Sequence, residues 1–454
     1  MKLAIAYDYD IPADIRREGI GVFAIYLLNA IMEYHNDIKL EFWTYSFNKE
    51  NIKIVFKDIF EKYPNRAKIF DESHGYKKSV ELKKRISCFP IYFRIFKYRL
   101  KYFFLRRKKY LDKISSIHAQ LLVKLQEGIE QLKYGLVDLI DKYSKADFVY
   151  CFFVSLKIGK YFSCPKFVQV HDLFTIPLYD LFKEDFGAKN LEKSNKMILD
   201  NLEDYALKDA VFISSSKYIA NEHSLKYIPN IKSKQIAVIP FPPMIKDFND
   251  ALLIDKQTFK SKYKIGDIYI AFPSQNRPNK NWIVILEALK ILRDKDIKIQ
   301  FVTTGKVDSV IKTKNFAKEN RLDDLIVEVG SLSVEELYAL YKYSNLVVGS
   351  SIIEGMGISG QVLEALKVGN IPIIHTKSLG IKESLENVGL TMETADLNWF
   401  DFDDSKTLAK LIEEVIKNPQ PHIEKQRKVL EAYTKITWKD VADNYVRLFK
   451  GKKR

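Results

Sequence analysis

Cysteine is scarce: three residues in 454 (Cys88, Cys151, Cys164), with no CxxC pair. That excludes a disulfide framework and a cysteine-based zinc site, and leaves three reduced thiols as the expectation. No run of 18 uncharged apolar residues occurs, so the sequence offers no spanning helix. The opening MKLAIAYDYDIP turns acidic after an apolar run too short for a signal-peptide core. The expectation is a cytoplasmic chain. Short-period repeats are absent as well. What is present is ordinary: 47% hydrophobic and 29% charged residues, enough for a real core and unlike a disordered chain. At this length two domains plus extensions are expected.

Charge of one sign is unevenly placed. Between Lys83 and Lys113 stand twelve basic residues against one acid, Asp112, so this short segment holds +11 of the net +15. The rest of the chain is nearly balanced, which argues against a nucleic-acid coat, and no RNA-binding signature accompanies the segment. Aromatics crowd the same stretch. On a helix, Phe89, Tyr92, Phe93, Phe96, Phe103 and Phe104 fall on one side and Arg94, Lys97 and Lys101 on another. Such a stripe suits an in-plane helix on an anionic membrane through residues 88–112; a helix packed on the core with a solvated basic face is the alternative.

Short apolar runs alternate with helical patterns, the rhythm of βαβ units and parallel sheets. Lys2–Tyr7, Lys39–Trp43, Phe148–Phe153, Phe167–Val170, Val211–Ser214 and Ile236–Ile239 read as strands, and Gly21–Glu33 as a helix. The stretch of about 81–142 reads as a helical insertion. Pro240, Pro242 and Pro243 then interrupt the pattern, because proline cannot continue a central strand. It restarts with strands at Ile268–Phe272, Ile299–Thr304, Leu325–Val329, Leu346–Gly349 and Ile371–Ile374, and closes with helices near Ile423–Tyr433 and Lys439–Phe449. The expected fold is α/β: two Rossmann-like, doubly wound domains over 1–245 and 266–418. A linker at 246–265 joins them, a ligand cleft lies between them, and helices at 419–454 return to the first domain.

Four strand-end features point to one kind of ligand. After Leu346–Gly349 comes Ser350-Ser351-Ile352-Ile353-Glu354-Gly355-Met356-Gly357, then Gln361-Val362-Leu363-Glu364 opening a helix. A glycine turn lets backbone N–H groups approach an anion, the helix N-terminus adds about half a positive charge, and carboxylates suit sugar hydroxyls. Phe272 is followed by Pro273-Ser274-Gln275-Asn276-Arg277-Pro278-Asn279-Lys280, whose cations would face a diphosphate. His171-Asp172 ends a third strand. Gly19 and Gly21 follow the first, where they would allow close backbone approach in the cleft.

These residues resemble the GT-B glycosyltransferases, specifically the retaining family 4, the "glycosyl transferases group 1" type. The resemblance is clearest from Lys264 to Asn387. Nine residues separate Glu354 from Glu364 where the family usually has seven. The resemblance implies transfer of a hexose from a nucleotide-diphosphate sugar to a saccharide or lipid-linked acceptor, with retention. Lys280 and Arg277 would face the diphosphate, Glu354 the donor sugar, Gly355, Gly357 and Ile358 the donor through the turn, and Glu364 the ribose. His171 would lie at the reacting carbon. Neither metal nor cofactor is expected. With the basic segment, it suggests bacterial surface-glycan synthesis on the inner face of the cytoplasmic membrane. A non-catalytic membrane-bound scaffold and a glycoside hydrolase using Glu354 and Glu364 are the rival readings.

Overall fold

The structure is a computed structural model that describes residues 1–9, 15, 19–45, 48–71, 136–141, 143–242, 248–355 and 357–452. Residues 88–112, and with them the membrane expectation, lie outside the described residues, as does most of the 81–142 insertion.

Two parallel sheets organise the chain. The first contains β1 (Lys2–Tyr7), β2 (Lys39–Thr44), β3 (Ala67–Asp71), β4 (Phe148–Cys151), β5 (Lys166–Val170), β6 (Val211–Ser214) and β7 (Ile236–Val238), in the order β3-β2-β1-β4-β5-β6-β7. The second contains β8 (Tyr269–Phe272), β9 (Gln300–Thr303), β10 (Ile326–Glu328), β11 (Leu346–Gly349), β12 (Ile373–Thr376) and β13 (Trp399–Phe400), in the order β10-β9-β8-β11-β12-β13. Near-continuous apolar runs suit parallel strands covered on both faces. Every residue of β8, β11 and β12 is accordingly buried. This is the doubly wound, Rossmann-like architecture that the alternation of patterns implied. By sheet the chain changes over between Val238 and Tyr269. By compactness it divides into residues 1–168, 208–210 and 449–454, and residues 169–207 and 211–448.

In the first of these units, α1 (Gly19–Tyr34) buries Phe23, Leu27, Leu28 and Ile31. Asp8, at the end of β1, accepts the N–H groups of Lys157 and Ile158 at 2.8 and 3.0 Å and so anchors the chain after β4. The close approach that Gly21 permits is that of Ile15: a Cβ at Gly21 would lie 1.9 Å from the Ile15 carbonyl oxygen. Gly19 has open space instead.

In the second unit, two apolar layers sandwich the six-stranded sheet. On one face α2 (Trp282–Arg293) and α3 (Ser405–Lys417) bury Trp282, Leu286, Leu408 and Ile412 with Phe272 and Phe301. On the other, α4 (Val334–Lys342), α5 (Gly360–Val368) and α6 (Pro419–Thr434) bury Leu340, Val362, Leu363 and Val429 with Val347 and Ile373. A fully buried leucine contributes about 1.5–3 kcal/mol. The two C-terminal helices have different partners. Gln426 of α6 accepts the N–H of Ile373 and donates to the carbonyl of Ile371. In α7 (Trp438–Gly451), Tyr445 donates to Gln169, whereas the Phe449 ring sits against Phe148 and Phe167.

Candidate functional site

Strand order reverses between β8 and β11, so the loops leaving their C-terminal ends run in opposite directions and open a crevice, the usual place for a ligand in such a sheet. Lys280 follows β8 and Glu354 follows β11. Their side chains meet there: Lys280 Nζ lies 2.6 Å from Glu354 Oε1, with about 17% and 13% of each side chain exposed. Ser351 Oγ donates to the same oxygen at 2.5 Å. Burial alone would raise the Glu354 pKa; the Lys280 charge and these hydrogen bonds outweigh it and hold the carboxyl below its ordinary value.

The two loops are knit through their backbones as well. Ser350 Oγ donates to the Lys280 carbonyl at 2.6 Å, and Ile352 N–H to the Asn279 carbonyl at 2.9 Å. Asn281 adopts a left-handed backbone (φ 52°) and donates its side-chain amide to the Phe402 carbonyl. Lys280 is therefore delivered by a fixed turn.

The glycine turn is held from below by hydroxyls. Thr376 Oγ1 donates to the Ser351 carbonyl, Ser378 Oγ to that of Gly357, and Ser215 and Ser216 both to that of Gly355. Gly357 has φ +77°, and a Cβ there would fall 2.4 Å from the Ser384 Cβ. At Gly355 a Cβ would lie 2.9 Å from the His171 carbonyl oxygen. Packing thus favours glycine at both positions, and at Gly357 the backbone shape requires it as well. Ile358 is 2% exposed and belongs to the core, which leaves only its backbone for a ligand. His375, at the end of β12, lies under this turn. Its Nδ1–H donates to the Thr376 carbonyl at 2.7 Å, so Nε2 is the acceptor for the Ser359 N–H at 3.3 Å, just before α5. Burial lowers its pKa to about 4. Gly349 makes the room: a Cβ there would be 2.3 Å from the imidazole.

His171 is nearly buried, its ring edge-on to Phe241. Asp172 beside it feels both site charges. Burial first, and the Glu354 charge, push its pKa up to about 6 against the opposing pull of the Phe174 N–H, Arg277 and Lys280. Arg277 is exposed. Glu364, on α5, accepts the Tyr341 hydroxyl at 2.7 Å. The structure thus gathers Lys280, Glu354, Gly355, the His171 backbone and the Asp172 and Arg277 charges, while Glu364 is bonded to α4 and Gly19 and Gly21 belong to the other compact unit. Sequence reasoning missed Ser351, His375 and Tyr341. Only Ser351 carried a local signal, three residues ahead of Glu354.

Comparison with known proteins agrees with this fold. Residues 254–436 match the family model described as glycosyl transferases group 1, so the chain carries a domain of that kind. No curated protein matches the sequence. Among solved structures, HepE from Anabaena in complex with UDP and glucose is 12% identical at a TM-score of 0.57, covering 99% of this chain and 100% of that one. Sucrose-phosphate synthase from Thermosynechococcus elongatus is 13% identical at 0.58, covering 99% and 98%. WaaG, a glycosyltransferase involved in lipopolysaccharide biosynthesis, is 10% identical at 0.53, covering 99% and 100%. At these identities the likeness shows the fold, which is GT-B.

Proposed function

We propose that this chain, with its glycosyl transferases group 1 domain, moves a hexose from a nucleotide-diphosphate sugar to a saccharide or lipid-linked acceptor with retention, as family 4 enzymes do. The observation that carries the reading is the buried Lys280–Glu354 pair at the β8–β11 reversal. As the sugar–phosphate bond breaks, negative charge gathers on the diphosphate and positive charge on the ring. Lys280, aided by Arg277 and the N-terminus of α5, offsets the first in a site largely closed to water. Glu354, kept ionised, serves the donor-sugar hydroxyls, and Glu364 the ribose. The bond from the anomeric carbon to phosphate breaks while that to the acceptor oxygen forms on the same face; the acceptor proton passes to the departing phosphate.

The hydrolase alternative needs a protonated carboxyl as acid. Glu354, paired with Lys280, is held in the opposite state. Countercharge from Lys280 and Arg277 leaves no step that calls for a metal. We place the acceptor at an anionic membrane surface through residues 88–112, on the cytoplasmic face, in bacterial surface-glycan synthesis; WaaG, of the same fold, is involved in one such synthesis. The deciding experiment is calorimetry with UDP, GDP and their common sugar conjugates, followed by transfer assays with any donor that binds. HepE's complex makes UDP the first to try. Absence of heat with every member of the panel would remove the reading.

A further inference from the structure

The turn after β6 departs from ordinary helix. Ile219–Leu225 is a π-helix, a rare geometry that concentrates at functional sites. Ser216 leads into it: its hydroxyl accepts the Ile219 N–H at 3.2 Å and donates to the Gly355 carbonyl. The wider turn places His223 inside the protein, 1% exposed. His223 Nδ1 accepts the N–H of Leu173 at 2.9 Å. An acceptor nitrogen carries no proton, so the neutral ring holds its proton on Nε2. Phe174, Tyr218 and Tyr227 surround it edge-on, with ring centroids 5.9, 5.6 and 6.5 Å away. Burial lowers the pKa to about 4, which makes the acceptor form the one present at neutral pH.

Leu173 directly follows His171 and Asp172, and the His171 carbonyl is the group pressed against Gly355. The contacts continue beyond the ring. Tyr218, one wall of its cage, packs on Gly380, where a Cβ would stand 2.9 Å from the tyrosine ring; the Gly380 carbonyl in turn stands 3.0 Å from where a Gly357 Cβ would be. His223 therefore lies at the junction of the 171–174 loop and the glycine turn, yet it touches neither Lys280 nor Glu354.

We infer that His223 is the positioning residue of the 171–174 loop: through the amide of Leu173 it seats His171 and Asp172 beside the Glu354 turn and takes no part in the chemistry. The kinetic consequence rests on the transfer reading above; the geometric claim does not.

Three full-length variants test it. In His223→Asn the side-chain oxygen lies close to where Nδ1 was; in His223→Gln it falls one bond too far; in His223→Leu there is no acceptor. Amide exchange at Leu173 is expected to stay slow in wild type and His223→Asn and to quicken about tenfold in the other two, the loss of one buried bond. Turnover should fall about ten- to a hundredfold in His223→Leu and His223→Gln, with donor KM little changed and His223→Asn restoring most of the loss. Unchanged Leu173 exchange in both loss variants overturns the inference, as does equal loss of turnover in all three. If wild type transfers sugar from no nucleotide donor, the transfer reading fails and the exchange comparison alone decides the geometric claim.

Discussion

The Lys280 charge helps hold the Glu354 carboxyl below its ordinary value, and removing either partner leaves a nearly buried ion without its counter-ion. Lys280→Ala should lower transfer by about 10²–10³-fold, the usual loss when one stabilising cation or donor is taken from a developing oxyanion. Its affinity for nucleoside diphosphate should weaken in parallel, as calorimetry would record; wild-type turnover in this variant would contradict the assignment. Glu354→Gln keeps the Ser351 bond and shape but loses the charge, so here the loss should fall on turnover more than on diphosphate affinity. Gly357→Ala tests the backbone. A left-handed φ and a collision with Ser384 should cost about 1–3 kcal/mol in chemical denaturation. The motif residues were legible because their chemistry is written in residue type and strand-end position. Their supports were not. Tyr341 reaches Glu364 from a different helix, and His375 reaches Ser359 from a different strand, so no local spacing connects them.

Elements show where reading by pattern succeeds. Leu346–Gly349 is a strand over the same residues in sequence and structure because it is apolar throughout and central. β3 and β13 carry no comparable apolar run: Lys68 and Asp71 break up the first, and the second is only two residues long. The apolar run Ile371–Ile374 marks β12, which in the structure runs from Ile373 to Thr376. Its last two residues are polar yet wholly buried, because they support the turn. That burial has a consequence in pH. His223 and His375 have pKa values lowered to about 4, so between pH 6.5 and 4 the unfolded chain binds their protons and the folded chain does not. Their contribution to stability is complete above pH 6.5 and should fall by about 1.4 kcal/mol per pH unit for each as pH drops through that window. Asp172 has the opposite sign: raised to about 6, it gains a proton in the folded state first, and below pH 6 it offsets part of the fall. Urea melts at pH 7 and pH 5 should show the decline, and Asp172→Asn should steepen it. A flat stability across that range would mean that the imidazoles are not held neutral.

For the whole molecule, the alternation of apolar runs and helical patterns conveyed two doubly wound sheets, since that rhythm follows from parallel strands needing crossovers. The compact units were less legible. Their division runs through β5 and returns near residue 449, a matter of which surfaces pack rather than of any local composition. At this scale the basic aromatic segment makes one further prediction. Wild-type protein should float with liposomes containing anionic lipid and remain behind with neutral ones, and deletion of residues 88–112 should abolish the difference. Equal flotation of the deleted form would place the contact elsewhere.

The reversal that opens the crevice also sets an order of events during synthesis. Ile270 of β8 pairs with Leu346 of β11, but β9 and β10, on the other side of β8, leave the ribosome first. Until β11 arrives, the inner edge of β8 is an unclosed ladder, ready to pair with any extended neighbour. Substitutions in β11 should therefore reduce the yield of soluble protein more than they reduce the melting temperature of the molecules that do mature.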